Sequence, residues 1–471
     1  MHLAFLVNQH VTRPYADLAR ALEAKGHAVF WLSPSRRWSR WLGAGGWPAE
    51  HVLSLPDLAP AWRAMPLAAA RHALAPLDAA SGLSIANVIL MDRALRRRSS
   101  AVAYGFLAVA AEAIGRFLVE HDIRVCFGEA TWAWEILTWM VCRSLGRQCL
   151  AFTTVRVPPD RFAFFDSATH QVIEHRAIES SDRAWAAEFI AAYRARPDPT
   201  ERAAPMPAAL RVRRHWFEEL WLALAHPRLG RDDMTIAPLR ARVGNRLRLA
   251  ANAAMLRWSP PFESAATRPS DQRFVLFCLH HQPEASIDVV AALHSDQAHA
   301  VERLARLLPA SHELWVKEHA PWLGDRSRRW LARLARLPGV RLVDPAESSL
   351  ALMRRADLVV SPSGTVAYEA ALLGIPAATL ATLYFSRLMV AQGDPLSWNL
   401  ATILDRPRDP DDGRPAQFLA WLHAQSFAGC PDRLAGAAMA GRADEANLTS
   451  VLAGFDVILG WVARQLPAAA A

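Results

Sequence analysis

Lysine is nearly missing from this 471-residue chain: Lys25 and Lys317 are the only two, although lysine and arginine together number 53. The positive charge is therefore arginine charge. That is a compositional drift of little functional weight, but it marks Lys317 as a place where a compact ammonium stands instead of a planar fork. Cysteine is sparse as well. Cys126, Cys142, Cys149, Cys278 and Cys430 fall at spacings that match neither a zinc site nor a CxxC pair. Reduced thiols in a cytoplasmic protein are the expectation, with Cys126 and Cys278 in the core. The opening Met1-His2-Leu3-Ala4-Phe5-Leu6-Val7-Asn8 has no basic leader and too short an apolar run for a signal peptide. No apolar run is expected to span a bilayer. No Asp-x-Asp metal clamp stands out: Asp232-Asp233 and Asp411-Asp412 read as solvated turns, so no metal is expected. Solenoid repeats are absent.

What is there is a globular composition, 52% hydrophobic and 21% charged, in a chain long enough for two cores. A net charge of +8 suits an anionic partner: nucleic acid, a nucleotide-sugar or an acidic membrane surface.

Read along the chain, apolar runs alternate with helical spacings, as in doubly wound α/β proteins. A strand over 3–7, a helix over 15–25 and a strand over 28–32 open the first domain, with His10 in the first loop. A second unit places a strand over 123–127, then the turn Gly128-Glu129-Ala130, then a tryptophan-rich helix. Glu129 is thereby set at the C-terminal end of a strand, where such sheets put ligand chemistry. It also suits a helix N-terminus as a plain dipole partner. Residues 190–260 break this rhythm with prolines and an Arg/Trp-rich stretch from Arg211 to Trp258, which reads as solvated helices or as a surface for anionic lipid. Pro260-Pro261 marks a linker. The expected domains are 1–260, 261–440 and a C-terminal helix over 441–471 that packs back on the first.

Past 272, three predicted strands end in polar clusters. These are His280-His281-Gln282-Pro283-Glu284, Lys317-Glu318-His319, and Ser361-Pro362-Ser363-Gly364-Thr365 with Glu369 one turn later. Parallel strands bring such ends to one sheet edge. There the Gly364 backbone, the hydroxyls and the N–H groups opening the next helix suit a phosphate. Lys317 and His319 add donors, and Glu369 suits a ribose diol. The competing reading has Ser363 and Thr365 as simple helix caps and Lys317-Glu318-His319 as a solvated strand end.

These clusters, together with Val366-Ala367-Tyr368-Glu369-Ala370 and Gly374-Ile375-Pro376, resemble the bacterial capsular polysaccharide biosynthesis family, which includes Kdo transferases that use CMP-Kdo. The likeness covers about residues 273–385, with a weaker match at Gly128-Glu129. His319-Ala320-Pro321 stands where the family has His-Pro, and Ala367-Tyr368-Glu369 where it has a Gly-Trp-Glu-like stretch. The resemblance implies a GT-B fold, two Rossmann-like domains with parallel sheets facing a cleft. It implies metal-independent transfer of a sugar, Kdo from CMP-Kdo, to a lipid-linked or oligosaccharide acceptor, with retention at the anomeric carbon, no cofactor and no nucleic acid. Donor binding falls to His280, Gln282, Glu284, Lys317, His319, Ser361, Ser363, Gly364, Thr365 and Glu369. Glu129 is the expected nucleophile or base, His281 a second catalytic residue, and His10 an acceptor-side residue. A CDP-glycerol-type polyol-phosphate transferase and a non-enzymatic scaffold on anionic surfaces remain alternatives.

Overall fold

A computed structural model of the chain describes residues 1–196, 232–236, 239–267, 269, 271–406, 408, 412–439 and 444–465. The Arg/Trp-rich residues 211–231 and Asp411 lie outside the described residues.

The chain forms two α/β units. The first builds its sheet from β1 (His2–Leu6), β2 (Ala28–Ser33), β3 (Val52–Ser54), β4 (Val125–Phe127), β5 (Gln148–Thr154) and β6 (Arg161–Asp166). The second uses β7 (Phe274–Cys278), β8 (Glu313–Lys317), β9 (Val340–Val343), β10 (Leu358–Ser361), β11 (Ala377–Thr379) and β12 (Ala391–Gln392), after which β13 (Ser426–Ala428) returns to the first sheet. Short, nearly all-apolar runs such as Phe274-Val275-Leu276-Phe277 are what a parallel strand covered on both faces requires, and these four are buried.

The first sheet runs β13-β6-β5-β4-β1-β2-β3 and the second β12-β11-β10-β7-β8-β9. All pairings in the second sheet are parallel. The first is parallel except at one edge, where β5-β6 and β6-β13 are antiparallel, so the expected all-parallel sheet carries a hairpin at its rim. Each order reverses direction beside its first strand, between β1 and β4 and between β7 and β10, as in a Rossmann-like fold.

The unit boundaries differ from the expected ones. Residues 178–196 and 239–260 belong with the second unit, not the first, and 425–439 with the first, not the second. The helix Ser180–Ala195 reaches Leu372 through Arg194 and Glu369 through Tyr193, contacts that proline-rich composition does not reveal. At the C-terminus, Val451, Phe455, Ile458 and Val462 of the helix Glu445–Gln465 join the first core, which is built on Phe5, Phe127 and Phe152.

Two further expectations are corrected. The helices Ser100–Glu120 and Glu445–Gln465 are long and apolar enough to cross a membrane by length and composition. Alanine, glycine and a few charged residues interrupt their apolar runs, yet an 18-residue window of each stays apolar on average. In the unit, 61% and 39% of those windows are buried. Asp232-Asp233 is not a solvated turn either. Asp233 is 2% exposed and accepts from the Thr235 N–H at 2.8 Å and hydroxyl at 2.6 Å, and Asp232 pairs with Arg36 and Arg63.

Candidate functional site

In the second unit the switch point lies between β7 and β10, and the residues following those strands meet there. His280 Nε2 lies 3.1 Å from the Ser361 hydroxyl and accepts from the Ser363 N–H at 3.4 Å, while Gly364 N–H donates to Ser361 Oγ at 3.1 Å. Because Nε2 accepts, the network assigns the ring proton to Nδ1, which faces the Ser286 hydroxyl at 3.5 Å. Burial first, then the charges of His319 and Arg326, lower the His280 pKa to about 4. The ring is therefore neutral at neutral pH and braces the turn. The Ser363 hydroxyl donates to the Ser286 carbonyl. A Cβ on Gly364 would fall 2.5 Å from Ser361 Oγ and 3.0 Å from His280 Nε2, so no other residue fits without displacing this cage. Gly364 is also the N-cap of the helix Thr365–Leu372, whose opening N–H groups have no acceptor within the helix. Thr365 stands half-buried at its first position.

The end of β8 is tied to β7 by a buried ion pair that the sequence reading missed. Arg326, 7% exposed, donates to Glu318 at 2.7 Å and to the His280 carbonyl at 2.6 Å. Glu318 also accepts from the His319 N–H at 2.9 Å, which leaves His319 itself exposed at the strand end. Lys317 is buried and donates to the Pro345 carbonyl at 2.9 Å. Burial lowers its pKa against the opposing pull of Cys278, Glu318, Asp344 and Glu347.

His281 is held twice over. Its ring stacks on Trp322 at 3.8 Å and 14°, and its Nδ1 bonds Asp325, whose side chain is 4% exposed. A buried carboxylate on Nδ1 orients the imidazole and leaves Nε2 for a proton in transit, the arrangement of a general base and its orienting acid. Asp325→Ala is therefore expected to lower turnover by at least about tenfold with little change in KM, checked by steady-state kinetics. Gln282 serves as a brace, donating to Asp288 at 2.9 Å and to the Ser295 carbonyl at 3.2 Å, and Glu284 is exposed beside it. Glu369 lies 3.4 Å from the Tyr193 hydroxyl and 3.3 Å from Arg196, whose guanidinium also sits 3.8 Å from the Tyr193 ring. Burial and the Glu369 charge push Tyr193 above its ordinary range.

The first unit has its own switch point. Gly128 follows β4 so closely against β1 that a Cβ there would meet Leu6 Cβ at 2.5 Å. Glu129 comes next, half-buried on a cavity of about 60 Å³ lined by Val11, Pro14, Tyr15, Leu18, Phe152, Asp432 and Leu434. Burial, then the nearby Asp432 charge, raises the Glu129 pKa, and Arg156 opposes. The cavity wall takes Val11 from the turn after β1 and Pro14 from the helix Thr12–Ala24 that follows, whereas His10 is exposed on that turn.

A second carboxylate here escaped the sequence reading, although a lone acid within Ala133-Trp134-Glu135-Ile136-Leu137 was its signal. Glu135 is fully buried and accepts from the Thr131 N–H, the Thr131 hydroxyl and the Trp132 N–H at 2.8, 2.8 and 3.0 Å. Desolvation outweighs those bonds and lifts its pKa from 4.5 to about 8. A raised folded-state pKa means that the folded chain holds a proton the unfolded chain has lost. Stability from this group is complete below pH 4.5 and drains away as pH rises toward 8. Glu135→Gln is expected to flatten that decline, which amounts to roughly 1.4 kcal/mol per pH unit at most. Urea unfolding at a series of pH values measures it, and equal slopes for both proteins would refute it.

Among the described residues no cluster of His, Cys, Asp and Glu could hold a metal ion. No protein-family model matches the chain, and no curated protein does. Solved structures match over most of its length at low identity. A UDP-GlcNAc 2-epimerase from Methanocaldococcus jannaschii is 12% identical, over 90% of this chain and 99% of that one, with a TM-score of 0.25. The same epimerase in complex with UDP-GlcNAc and UDP is 11% identical, over 90% and 99%, with a TM-score of 0.27. The Thermosulfurimonas dismutans KpsC beta Kdo 2,7 transferase is 10% identical, over 69% of this chain and 87% of that one, with a TM-score of 0.32. A likeness of this size decides neither family nor activity; the two α/β units rest on the strand orders of the chain itself.

Proposed function

We propose that this chain is a cytoplasmic glycosyltransferase of surface polysaccharide assembly, of GT-B type, which takes its sugar from a nucleotide-sugar donor. The donor proposed is CMP-Kdo, and the acceptor a lipid-linked sugar or oligosaccharide. The observation that supports this reading most is the cage of His280, Ser361, Ser363 and Gly364 at the β7/β10 switch point, with a helix N-terminus opening from it. When the glycosidic bond breaks, negative charge gathers on the departing phosphate. Fixed N–H groups at a helix start stabilise that charge without reorganising and without needing a metal or cofactor. The exposed His319 adds a donor on the neighbouring strand end. His281, oriented by Asp325, is the proposed proton carrier, and Glu129 the proposed nucleophile or base on the first unit.

Titration calorimetry with CMP and UDP, followed by turnover with CMP-Kdo and CDP-glycerol, tests the proposal. CMP binding with turnover of CMP-Kdo alone supports it. Turnover of CDP-glycerol alone assigns a polyol-phosphate transferase instead, and failure to bind either nucleotide removes the enzyme reading in favour of a scaffold.

A further inference from the structure

The helix Leu239–Trp258 carries two opposite stripes. One is spent within its own unit. Ala253 and Leu256 are buried, Asn252 donates to the Gly324 carbonyl at 3.0 Å, and Leu256 joins the second core. The other is apolar and exposed: Val243 is 45%, Leu247 67%, Met255 56% and Trp258 92% exposed, with exposed Ala251 and Ala254 between them. At about 100° per residue these six fall within one third of the helix circumference, and they run about 22 Å along it. The helix contains Arg240, Arg242, Arg246, Arg248 and Arg257 and no acidic residue. By the same geometry Arg246 and Arg257 border one side of the exposed stripe and Arg248 the other.

An amphipathic helix normally spends its apolar stripe on its own core. This one has already buried the opposite side and still shows a ridge of Val, Leu, Met and Trp between arginines. That pattern is what a helix lying in the plane of a bilayer presents: apolar side chains enter the acyl boundary, Trp settles at the headgroup level, and arginines reach the phosphates. We propose that this face docks on an anionic phospholipid surface. A second copy of the chain is a poor occupant, because it would set the bordering Arg246, Arg248 and Arg257 against the same three arginines. A nucleic acid would use the arginines but not the apolar ridge between them. The docked helix would also bear directly on the site, since its Arg248 donates to the Asp325 carbonyl at 3.3 Å and Asp325 orients His281. The inference rests on exposure and charge alone and stands whether or not the transfer reaction does.

The test is flotation of the full chain with vesicles of phosphatidylcholine and phosphatidylglycerol in equal parts, against phosphatidylcholine alone. Binding is expected to the anionic vesicles only, weakening as salt rises. The double variant Leu247→Asp, Trp258→Asp is expected to lose about tenfold or more in vesicle partitioning. Both residues are exposed, so its circular dichroism and CMP affinity should match those of the native chain. Partitioning unchanged in that variant, no flotation by the native chain, or a concentration-dependent dimer abolished by the variant would each overturn the proposal. Loss of CMP binding by both proteins would instead count against the nucleotide-sugar reading and leave this one standing.

Discussion

Glu129→Gln is expected to cut sugar transfer by at least about a hundredfold while CMP binds with its native affinity. The amide keeps the shape and the strand-end position but cannot act as nucleophile or take a proton. Burial and the Asp432 charge raise the pKa of this carboxyl, and Tyr15 and Asp432 share its cavity. If Glu129 is the nucleophile, its oxygen bonds the anomeric carbon as the bond to the phosphate breaks, and CMP leaves with the electron pair. The acceptor hydroxyl then displaces the carboxylate and gives its proton to a base, so the product keeps the donor's anomeric configuration. Intact-protein mass spectrometry after donor addition would show a sugar adduct on the native chain and none on the variant. Kinetics within about threefold of native in Glu129→Gln would remove it from the reaction, and an inverted linkage by NMR would exclude the covalent route.

Gly364→Ala is expected to weaken CMP binding by at least about thirtyfold, because it strikes the phosphate cage and leaves the sheet intact. The new methyl would sit 2.5 Å from Ser361 Oγ, closer than a side chain tolerates, and a tight 3.0 Å from His280 Nε2. The Ser361 hydroxyl must turn away. That breaks its bonds to the Gly364 N–H and the His280 ring together, and the displaced groups close on the crevice. Stability should fall by about 1–3 kcal/mol, the usual cost of overpacking. Calorimetry with CMP and thermal unfolding separate the two effects. Native affinity in a folded variant would show that the nucleotide does not enter this crevice.

The strands were legible in the sequence because a parallel strand covered on both faces must be a short apolar run, and Phe274-Val275-Leu276-Phe277 or Leu358-Val359-Val360 can hardly be anything else. The polar clusters after β7, β8 and β10 were legible for a related reason. A core has no use for such residues, so His280, Lys317 and Ser361 point to a strand end. Where each side chain goes was not legible. Lys317 reads as a phosphate donor, yet its ammonium is buried against the Pro345 carbonyl. Glu369 reads as a ribose acceptor, yet Tyr193 and Arg196, more than 170 positions away, already bracket it.

Long-range pairing accounts for that gap. Periodicity reports which face of an element is apolar, a local property of neighbouring residues. Asp325 beneath His281, Arg326 against Glu318, and Tyr193 beside Glu369 each join segments whose sequences carry no mark of one another. The pKa shifts belong to the same class, since Glu135 is ordinary in sequence and titrates near 8 only because its surroundings exclude water. Strand content and the sheet edge that carries the candidate site thus followed from local patterning, whereas the partners and surroundings of each candidate side chain were set only when the folded chain brought distant groups into a shared, low-dielectric interior.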